Sequence, residues 1–391
     1  MRTILITGPG GCGRTTVAAA TALHAAGQGT RTLVLSADPT DTLGAVLGVP
    51  TGASPVEAAP GLTAWRPDAA ARFREDLTAF QDRAAGVLDL LGAAPLDAEE
   101  ATPLPGAEEL ALLRALRDAA LSEAYDLLVV DLPPASQALA LLALPEELRR
   151  YLRRLLPPER QAARALRPVL GRLAGVPMPA DWLYETAARW DLDLAAVEAV
   201  LADHATTAWL VAEPGPAGAD AVRTATTGFA LRALRTETLV ANRVLPDDAH
   251  GTWTGTLAAQ QRKALAEWQG TRAYDVHRTL HLGCDPRGTD DLARLIVPAV
   301  KQAPPPVEWP VTDQLADDGV LVWHIPLPGA IREELDLVRR GDELVVTAGA
   351  FRRIVPLPSA LRRCSVAGAA LRGGELYIRF APDPQLWPRG L

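Results

Sequence analysis

The stretch "ILITGPGGCGRTT", residues 4–16, decides the fold class of this chain. Four apolar residues predict a buried strand, and a glycine-rich run follows directly and opens a long series of helix formers. Glycines at such a turn let successive backbone N–H groups face phosphate oxygens, while the helix that follows adds its positive N-terminal dipole. The segment therefore predicts a phosphate-binding loop between a strand and a helix.

The loop departs from the usual phosphate-loop pattern at one position. Gly8, Gly13 and Thr15 match the spacing G-x-x-x-x-G-K-[ST], but Arg14 stands where the pattern has lysine. A guanidinium is larger and planar, so it keeps the charge but places it differently. The loss of one well-placed transition-state contact costs about 100- to 1,000-fold in rate. We expect impaired hydrolysis, although arginine replaces lysine almost throughout this chain and composition is an alternative explanation for Arg14.

Side chains at the predicted carboxyl ends of strands complete a candidate site for ATP and Mg²⁺. Thr15 is expected to offer its hydroxyl to Mg²⁺, together with Asp38 and Asp131, because carboxylates at strand ends face the phosphate crevice. The alternative is that these aspartates only cap turns. The candidate ATP-binding residues of the loop are Gly8, Gly10, Gly11, Cys12, Gly13, Arg14, Thr15 and Thr16.

Composition limits the remaining chemistry. The 391 residues fit one large α/β domain and a smaller module. The formal net charge of -8 argues against general nucleic-acid binding, so we expect no nucleic-acid partner. The three cysteines are far apart in sequence, which favours a reducing compartment over a disulfide framework. No apolar run approaches the roughly 18 residues of a membrane helix, so we expect a cytoplasmic protein with no integral membrane segment.

The first part of the chain alternates short apolar runs with helical segments. This order predicts a mostly parallel sheet with helices on both faces. The predicted strands are residues 2–7, 31–36, 125–131, 208–213 and 237–242. Between 146 and 205 lie helical segments of opposite charge, arginine-rich before 173 and acidic after 181, which either pair with each other or meet a partner.

Prolines cluster after this region, and the sequence pattern then changes from helical segments to short strands. The segment 304–319 reads as a semi-rigid linker, and residues 320–391 show short strands between Gly and Pro turns that predict a small all-β sandwich. A candidate zinc site could be assembled from His277, His281 and Cys284, but it lacks a fourth ligand. Ordinary packing of these side chains is the favoured alternative.

Three ordered segments resemble the arsenite-pump and tail-anchored-protein-targeting ATPases (ArsA/GET type). They are residues 4–48, the run "YDLLVVDLPPASQALALLALP" (125–145) and "LVANRVLP" (239–246). The resemblance covers roughly residues 1–300 and implies a P-loop ATPase-like domain over 1–303 with an inserted helical client subdomain at 146–205. It also implies a dimer closing around MgATP, in which Asp38 orients the attacking water, Asp131 lies near Mg²⁺ and Asn242 reads the adenine edge.

The departures from that family pattern cluster at the chemistry. Pro9 replaces a lysine that reaches the partner's nucleotide, and proline offers neither a cation nor an N–H. The second signature has lost its threonine, glycine and histidine between Leu132 and Gln137. The family's client chemistry, clustered thiols or a methionine-rich groove, is also missing from this sequence.

The last 70 or so residues resemble the small-heat-shock-protein (α-crystallin) module appended to some bacterial members, with "ELYIRF" at 375–380 as its ending. Three functions remain open. The favoured one is an ATP-binding dimeric switch with slow hydrolysis that is coupled to a protein client. The second is a pseudo-ATPase scaffold that pairs, as a heterodimer rather than a homodimer, with an active paralogue. The third is a holdase-like chaperone.

Overall fold

The computed structural model describes residues 1–92, 94–97, 99–156, 181–246, 251–271 and 273–386. Within these residues, the N-terminal domain is built on an eight-stranded sheet in the order β3-β4-β2-β5-β1-β6-β7-β8. The strands are β1 (Arg2–Thr7), β2 (Thr32–Ser36), β3 (Val56–Ala59), β4 (Leu62–Trp65), β5 (Leu127–Asp131), β6 (Thr206–Ala212), β7 (Thr236–Val244) and β8 (Asp275–Leu280). All neighbours are parallel except β3, which runs antiparallel to β4.

Helices cover both faces of this sheet. They are α1 (Arg14–Gly27), α2 (Thr42–Leu47), α3 (Ala69–Leu91), α4 (Ala107–Leu121), α5 (Ala135–Leu155), α6 (Asp181–Ala202), α7 (Pro216–Leu231), α8 (Thr252–Gln269) and α9 (Gly288–Ala293). Every residue of β1 is buried. Ile4 and Ile6 face one core that includes α1, and Leu5 faces a second core that includes α4, α5 and α7. The uninterrupted apolar pattern of the strands follows from this two-sided burial.

The five predicted strands are confirmed, with small shifts at their ends. β3, β4 and β8 are not among the five predicted strands, because β3 and β4 have only four residues each and β8 is an edge strand whose side chains are mostly exposed or partly buried. The register places Ser36 of β2 and Ile6 of β1 on either side of Asp131 in β5. The carboxyl ends of β1, β2 and β5 therefore lie together, which is where ligands bind in sheets of this type.

The oppositely charged helical segments pair with each other in the described residues. Arg149 of α5 contacts Asp191 of α6 at 3.0 Å, and Arg153 of α5 contacts the same carboxylate at 3.5 Å. The part of the predicted arginine-rich segment that lies between 157 and 173 is outside the described residues. Helix α5 runs without a break across residue 146, so the helical region continues a helix of the sheet domain.

The C-terminal β domain contains two antiparallel sheets around one core. Its strands are β9 (Val311–Gln314), β10 (Val320–Pro326), β11 (Leu335–Arg340), β12 (Glu343–Ala348), β13 (Phe351–Pro356), β14 (Cys364–Arg372) and β15 (Glu375–Pro382), ordered β14-β15-β10-β9 and β11-β12-β13. Trp323 and Ile378 of one sheet share the core with Val346 of the other. β9 and a short helix, α10 (Leu315–Asp318), lie inside the segment predicted as a linker, so the β domain begins at Val311.

Candidate nucleotide site

The glycine-rich loop between β1 and α1 is tightly enclosed at both ends. A Cβ atom on Gly8 would lie 1.9 Å from the carbonyl oxygen of Val211 in β6. Gly13 has φ 87°, and a Cβ there would lie 2.4 Å from the side-chain nitrogen of Asn242. Neither position accepts a side chain without movement of its neighbours, since real Cβ atoms do not approach other atoms so closely. The close approach of β6 and β7 fixes the course of the loop.

Surrounding groups hold the loop's carbonyl oxygens. Five of these carbonyl oxygens accept a hydrogen bond of 2.8–3.1 Å. The donors are Ala135 N to Gly8 O, Cys12 Sγ to Pro9 O, Arg243 Nη1 to Gly11 O, Asn242 Nδ2 to Cys12 O, and Val17 N to Gly13 O. Within the described chain, none of the backbone N–H groups of residues 10–16 donates to a backbone carbonyl, and those of Cys12 and Arg14 interact with the Cys12 thiol. Free N–H groups on a bent backbone at a helix N-terminus form a binding site for anions such as phosphate.

Asp131 lies at the end of β5, beside the first turn of α1. Its Oδ2 accepts hydrogen bonds from Thr15 Oγ1 at 2.8 Å and Ser36 Oγ at 2.9 Å. Its Oδ1 is buried and has no partner among the described residues. Burial raises the pKa of Asp131 to about 6, although the two hydroxyl donors and nearby Arg14 act in the opposite direction. Since buried polar atoms are normally paired, the free oxygen indicates a group that belongs there.

The donors around Asp131 fit Mg²⁺. A carboxylate oxygen and a threonine hydroxyl are the hard ligands that this ion prefers, and Mg²⁺ usually takes only one or two carboxylates and keeps several waters. In the described residues, no group of three or more His, Cys, Asp or Glu side chains could hold a metal ion. Both histidines for which ordinary packing was favoured over a zinc site contact the protein: His277 Nε2 lies 3.1 Å from Ile296 O, and His281 Nδ1 accepts a hydrogen bond from Gly283 N.

The side chain of Arg14 does not lie along the loop. Its Nη1 donates to the carbonyl oxygen of Leu132 at 2.5 Å, in the turn (132–134) that joins β5 to α5. The guanidinium is nevertheless close enough to lower the pKa values of Asp38 and Asp131. Thr16 follows on α1 and is partly buried. The cation of the loop is therefore held by a backbone carbonyl 118 positions away in sequence.

Asp38 lies in the loop after β2. Its Oδ1 accepts hydrogen bonds from the backbone N and hydroxyl of Thr40 at 2.9 and 2.7 Å. Burial favours the neutral form of this carboxyl, but hydrogen bonds from Thr40 and Thr42 outweigh it. Together with the charge of Arg14, they hold the pKa of Asp38 below its usual value. Asp38 is therefore an anion at neutral pH, as a residue that binds a metal or a water must be.

Arg66 supports the same loop and was not identified from the sequence. Its guanidinium donates to Pro39 O at 3.3 Å and to Thr51 O at 3.4 Å, and it lies 3.8 Å from Asp41. Asp41 in turn caps α2 through Gly44 N. No local pattern marks Arg66, because its partners are far from it in sequence and come together only through the pairing of β2 with β4.

Asn242 and Arg243 approach the loop from the end of β7. Asn242 is 7% exposed, and its Nδ2 donates to Cys12 O at 2.8 Å, so it supports the loop directly. Its predicted contact with adenine stays a prediction. Arg243 has a left-handed backbone, φ 54°, and donates to Gly11 O at 3.1 Å and Glu213 Oε1 at 2.6 Å. Sequence reasoning missed Arg243, although it directly follows Asn242 in the recognised segment.

A strand, a glycine-rich loop and a helix at the carboxyl edge of a mostly parallel sheet define the class of P-loop nucleotide-binding proteins. Within that class, this chain belongs to the family of anion-transporting ATPases, whose model matches residues 1–271. A model of the HSP20-like domain found in ArsA matches residues 318–380. Family membership supports a nucleotide-binding, ATPase-like role, and ATP with Mg²⁺ is the cofactor pair typical of such ATPases.

Similar proteins align along nearly the whole chain. An uncharacterised protein of Streptomyces coelicolor is 75% identical over 391 residues, 100% of either chain. A Mycobacterium tuberculosis protein is 33% identical over 99% of this chain and 97% of its own. A putative arsenical pump-driving ATPase of Aquifex aeolicus is 26% identical over 97% of this chain and 99% of its own. No helix in the described residues is long and apolar enough to cross a membrane.

Proposed function

We propose that this chain is an ATP-binding switch that acts as a dimer, hydrolyses ATP slowly, and couples its nucleotide state to a protein client or partner. The observation that carries the proposal is that the carbonyl groups and the N–H groups of the loop backbone have different partners. The carbonyls of Gly8 and Gly13, and most of those between them, are held by the protein, while no backbone carbonyl in the described residues accepts from the N–H groups of residues 10–16, which can therefore face phosphates.

Thr15 and Asp131 would hold Mg²⁺ in this proposal. The buried, unpartnered Oδ1 of Asp131 supports the assignment, because a bound cation would satisfy it and offset the cost of burying a carboxylate. When bound, Mg²⁺ neutralises charge on the phosphates. The loop's own contribution is to fix the triphosphate through backbone donors that need no reorganisation.

Asp38 is proposed to orient the attacking water. Its pKa is lowered, so the carboxylate is ionised and can accept a hydrogen bond from water at neutral pH. Arg66 and the Thr40 contacts hold the loop that carries it. Arg14 is proposed to stabilise charge on the phosphates only weakly, because Leu132 O competes for its guanidinium.

One observation favours a second candidate, a pseudo-ATPase that pairs with an active paralogue. Arg14 is engaged by Leu132 O, and Pro9 supplies no cation, so the two positively charged positions of the family's loop are both altered. A partner chain would then have to supply the missing charges. This candidate predicts nucleotide binding without intrinsic turnover.

Turnover assays on the wild type and on Asp38→Asn separate the two candidates. The switch predicts slow, Mg²⁺-dependent ATP hydrolysis that Asp38→Asn removes. Equal background rates in the two proteins would exclude a catalytic aspartate and favour the scaffold. In both cases saturating MgATP should raise the melting temperature, since a ligand at 100 times its Kd stabilises the folded state by about 2.7 kcal/mol. No shift would reject both candidates.

A further inference from the structure

The β domain packs against two helices of the ATPase domain. Leu231, the last residue of α7, lies inside the β-domain core. Thr227 Oγ1 of α7 donates to Pro328 O in the loop between β10 and β11 at 2.9 Å. The β domain and α7 therefore share buried surface, so the domain is docked on the ATPase fold by more than its covalent connection.

α5, α7 and β13 meet at one glycine. A Cβ atom on Gly228 of α7 would lie 2.4 Å from Leu139 Cδ1 of α5 and 3.0 Å from Phe351 Cε2 of β13. Only glycine allows three elements to approach so closely. Because packed interiors transmit small displacements rather than absorb them, a shift of α5 would be felt directly by β13.

Ion pairs extend this contact along α5. Glu146 lies 3.2 Å from Arg353 Nε of β13, and Arg150 Nη2 donates to Glu343 Oε2 of β12 at 2.7 Å. Arg353 also donates to Leu231 O at 3.1 Å. The middle of α5 is therefore tied to two strands of the β domain by partly buried charges.

The opposite end of α5 is tied to the phosphate loop. Ala135 N, at the first residue of α5, donates to Gly8 O at 3.1 Å, and Thr7 Oγ1 donates to Pro133 O at 2.6 Å. Arg14 adds the third link, to Leu132 O. One helix thus contacts the nucleotide site at its start and the β domain along its length.

We propose that occupation of the phosphate loop and docking of the β domain on α5 oppose each other, with the guanidinium of Arg14 as the shared element. This inference rests on the proposed nucleotide-binding function. A guanidinium prefers the bidentate fork that a phosphate offers, so a triphosphate on the loop draws Arg14 away from Leu132 O. The turn at the start of α5 is then released, and the α5 contacts with β12 and β13 loosen.

The coupling is reciprocal by thermodynamic necessity, so weaker docking must tighten nucleotide binding by the same factor. Arg150→Glu and Glu343→Arg each place like charges across the docking surface, while the double variant restores an opposite pair. We expect each single variant of the full chain to bind MgATP about three- to tenfold more tightly, as for other coupled mutations. The double variant should return to within about twofold of the wild type.

Arg379→Glu is the matched control. Arg379 pairs with Asp318 at 3.8 Å within the β domain, so its reversal should leave the MgATP affinity unchanged. Hydrogen exchange of the wild type is the second readout, which also applies if a charge-reversal variant fails to fold. MgATP should speed exchange in residues 146–155 and 351–356, where docking contacts loosen.

The outcomes distinguish a failure of the proposed coupling from a failure of the nucleotide-binding function on which it rests. If the wild type binds MgATP but the single variants bind equally or more weakly, and exchange in 351–356 is unchanged, the coupling is rejected and the switch stands. If the wild type binds no MgATP, the proposed function and the coupling both fall. Tighter binding in the single variants, restored in the double variant, supports the coupling.

Discussion

The phosphate loop (8–16) and the β5–α5 turn (132–134) lie side by side but depend on different parts of the chain. The loop is shaped by its backbone: β6 and β7 close on Gly8 and Gly13, and surrounding donors hold its carbonyls. The turn contacts the loop through side chains, above all the guanidinium of Arg14 on Leu132 O. The backbone keeps the features that bind phosphate, whereas the side chains depart from the features that split it.

On the proposed function, binding and hydrolysis therefore depend on different groups, and substitutions should be able to separate them. Backbone N–H groups are insensitive to most substitutions, because every residue except proline supplies one. Positioned side-chain cations are sensitive to substitution, because a planar guanidinium and a compact ammonium fit different sites. The predictions below perturb the contact between the loop and the turn, the loop backbone, or the carboxylate of Asp131 beside them.

Arg14→Lys should have the largest effect. The guanidinium of Arg14 reaches the phosphates only in competition with Leu132 O, whereas the compact ammonium of lysine is expected to contact the phosphates without that competition. Turnover should rise by about 100-fold, the lower end of what one positioned charge contributes to a transition state. Steady-state phosphate release measures it. Arg31→Lys is the control, since Arg31 pairs with Asp126 at the amino ends of the strands; turnover of Arg14→Lys at or below the wild-type rate would contradict the interpretation of Arg14.

Gly8→Val tests the backbone region. The added side chain meets the Val211 carbonyl, so we expect a loss of about 3 kcal/mol in unfolding free energy, the upper part of the range for overpacking, together with loss of MgATP binding. Chemical denaturation measures the first effect and calorimetry the second. Gly10→Ala is the matched control, because a Cβ there meets nothing within 4 Å. Equal stability of the two variants would show that the loop is not enclosed by β6.

Asp131→Asn tests the cost of the buried carboxylate. The pKa of Asp131 is raised to about 6. The folded state therefore holds this proton more tightly than the unfolded chain, and stability falls as pH rises from about 4 through 6. Above that window the ionised group costs about 3 kcal/mol, so the variant should be more stable than the wild type at pH 8 without Mg²⁺. The difference should vanish near pH 4, and a variant less stable at pH 8 would overturn the account.

Cysteine labelling gives the smallest effect. Cys12 is 3% exposed, and burial raises the pKa of its thiol to about 11, whereas Cys284 is exposed. Because the thiolate is the reactive form, maleimide at pH 8 should modify Cys284 well before Cys12. Mass spectrometry of the labelled peptides, with Cys284→Ser as control, measures the order. Early labelling of Cys12 would show that the loop opens readily.

Much of this architecture could be predicted from the sequence, and the exceptions have physical causes. Strands such as β1 and β5 are continuous apolar runs because both of their faces are buried, so they were found. β3 and β4 were missed because short, partly buried strands carry little pattern. In the site, the spacing identified the loop and placed Asp131, since a strand end is a local feature.

The contacts of Arg14 could not be read from the sequence. They depend on tertiary placement: Leu132 lies 118 positions away and meets Arg14 only because β1 and β5 are neighbours. The same holds for Arg66 and Arg243, each of which contacts a backbone carbonyl as well as an acidic side chain that is distant in sequence. A backbone acceptor leaves no signature in residue type. The docking of the β domain on α5 is equally a product of the fold.

Calorimetric titration of MgATP into the wild type and Arg14→Ala tests the central claim most directly, that the loop backbone binds the triphosphate whatever side chain follows it. The account predicts saturable binding to both proteins, with Kd values within about tenfold, because a lost charged hydrogen bond to phosphate is offset by release from Leu132 O. No saturable binding to the wild type, or a loss of more than about 100-fold in Arg14→Ala, would contradict it.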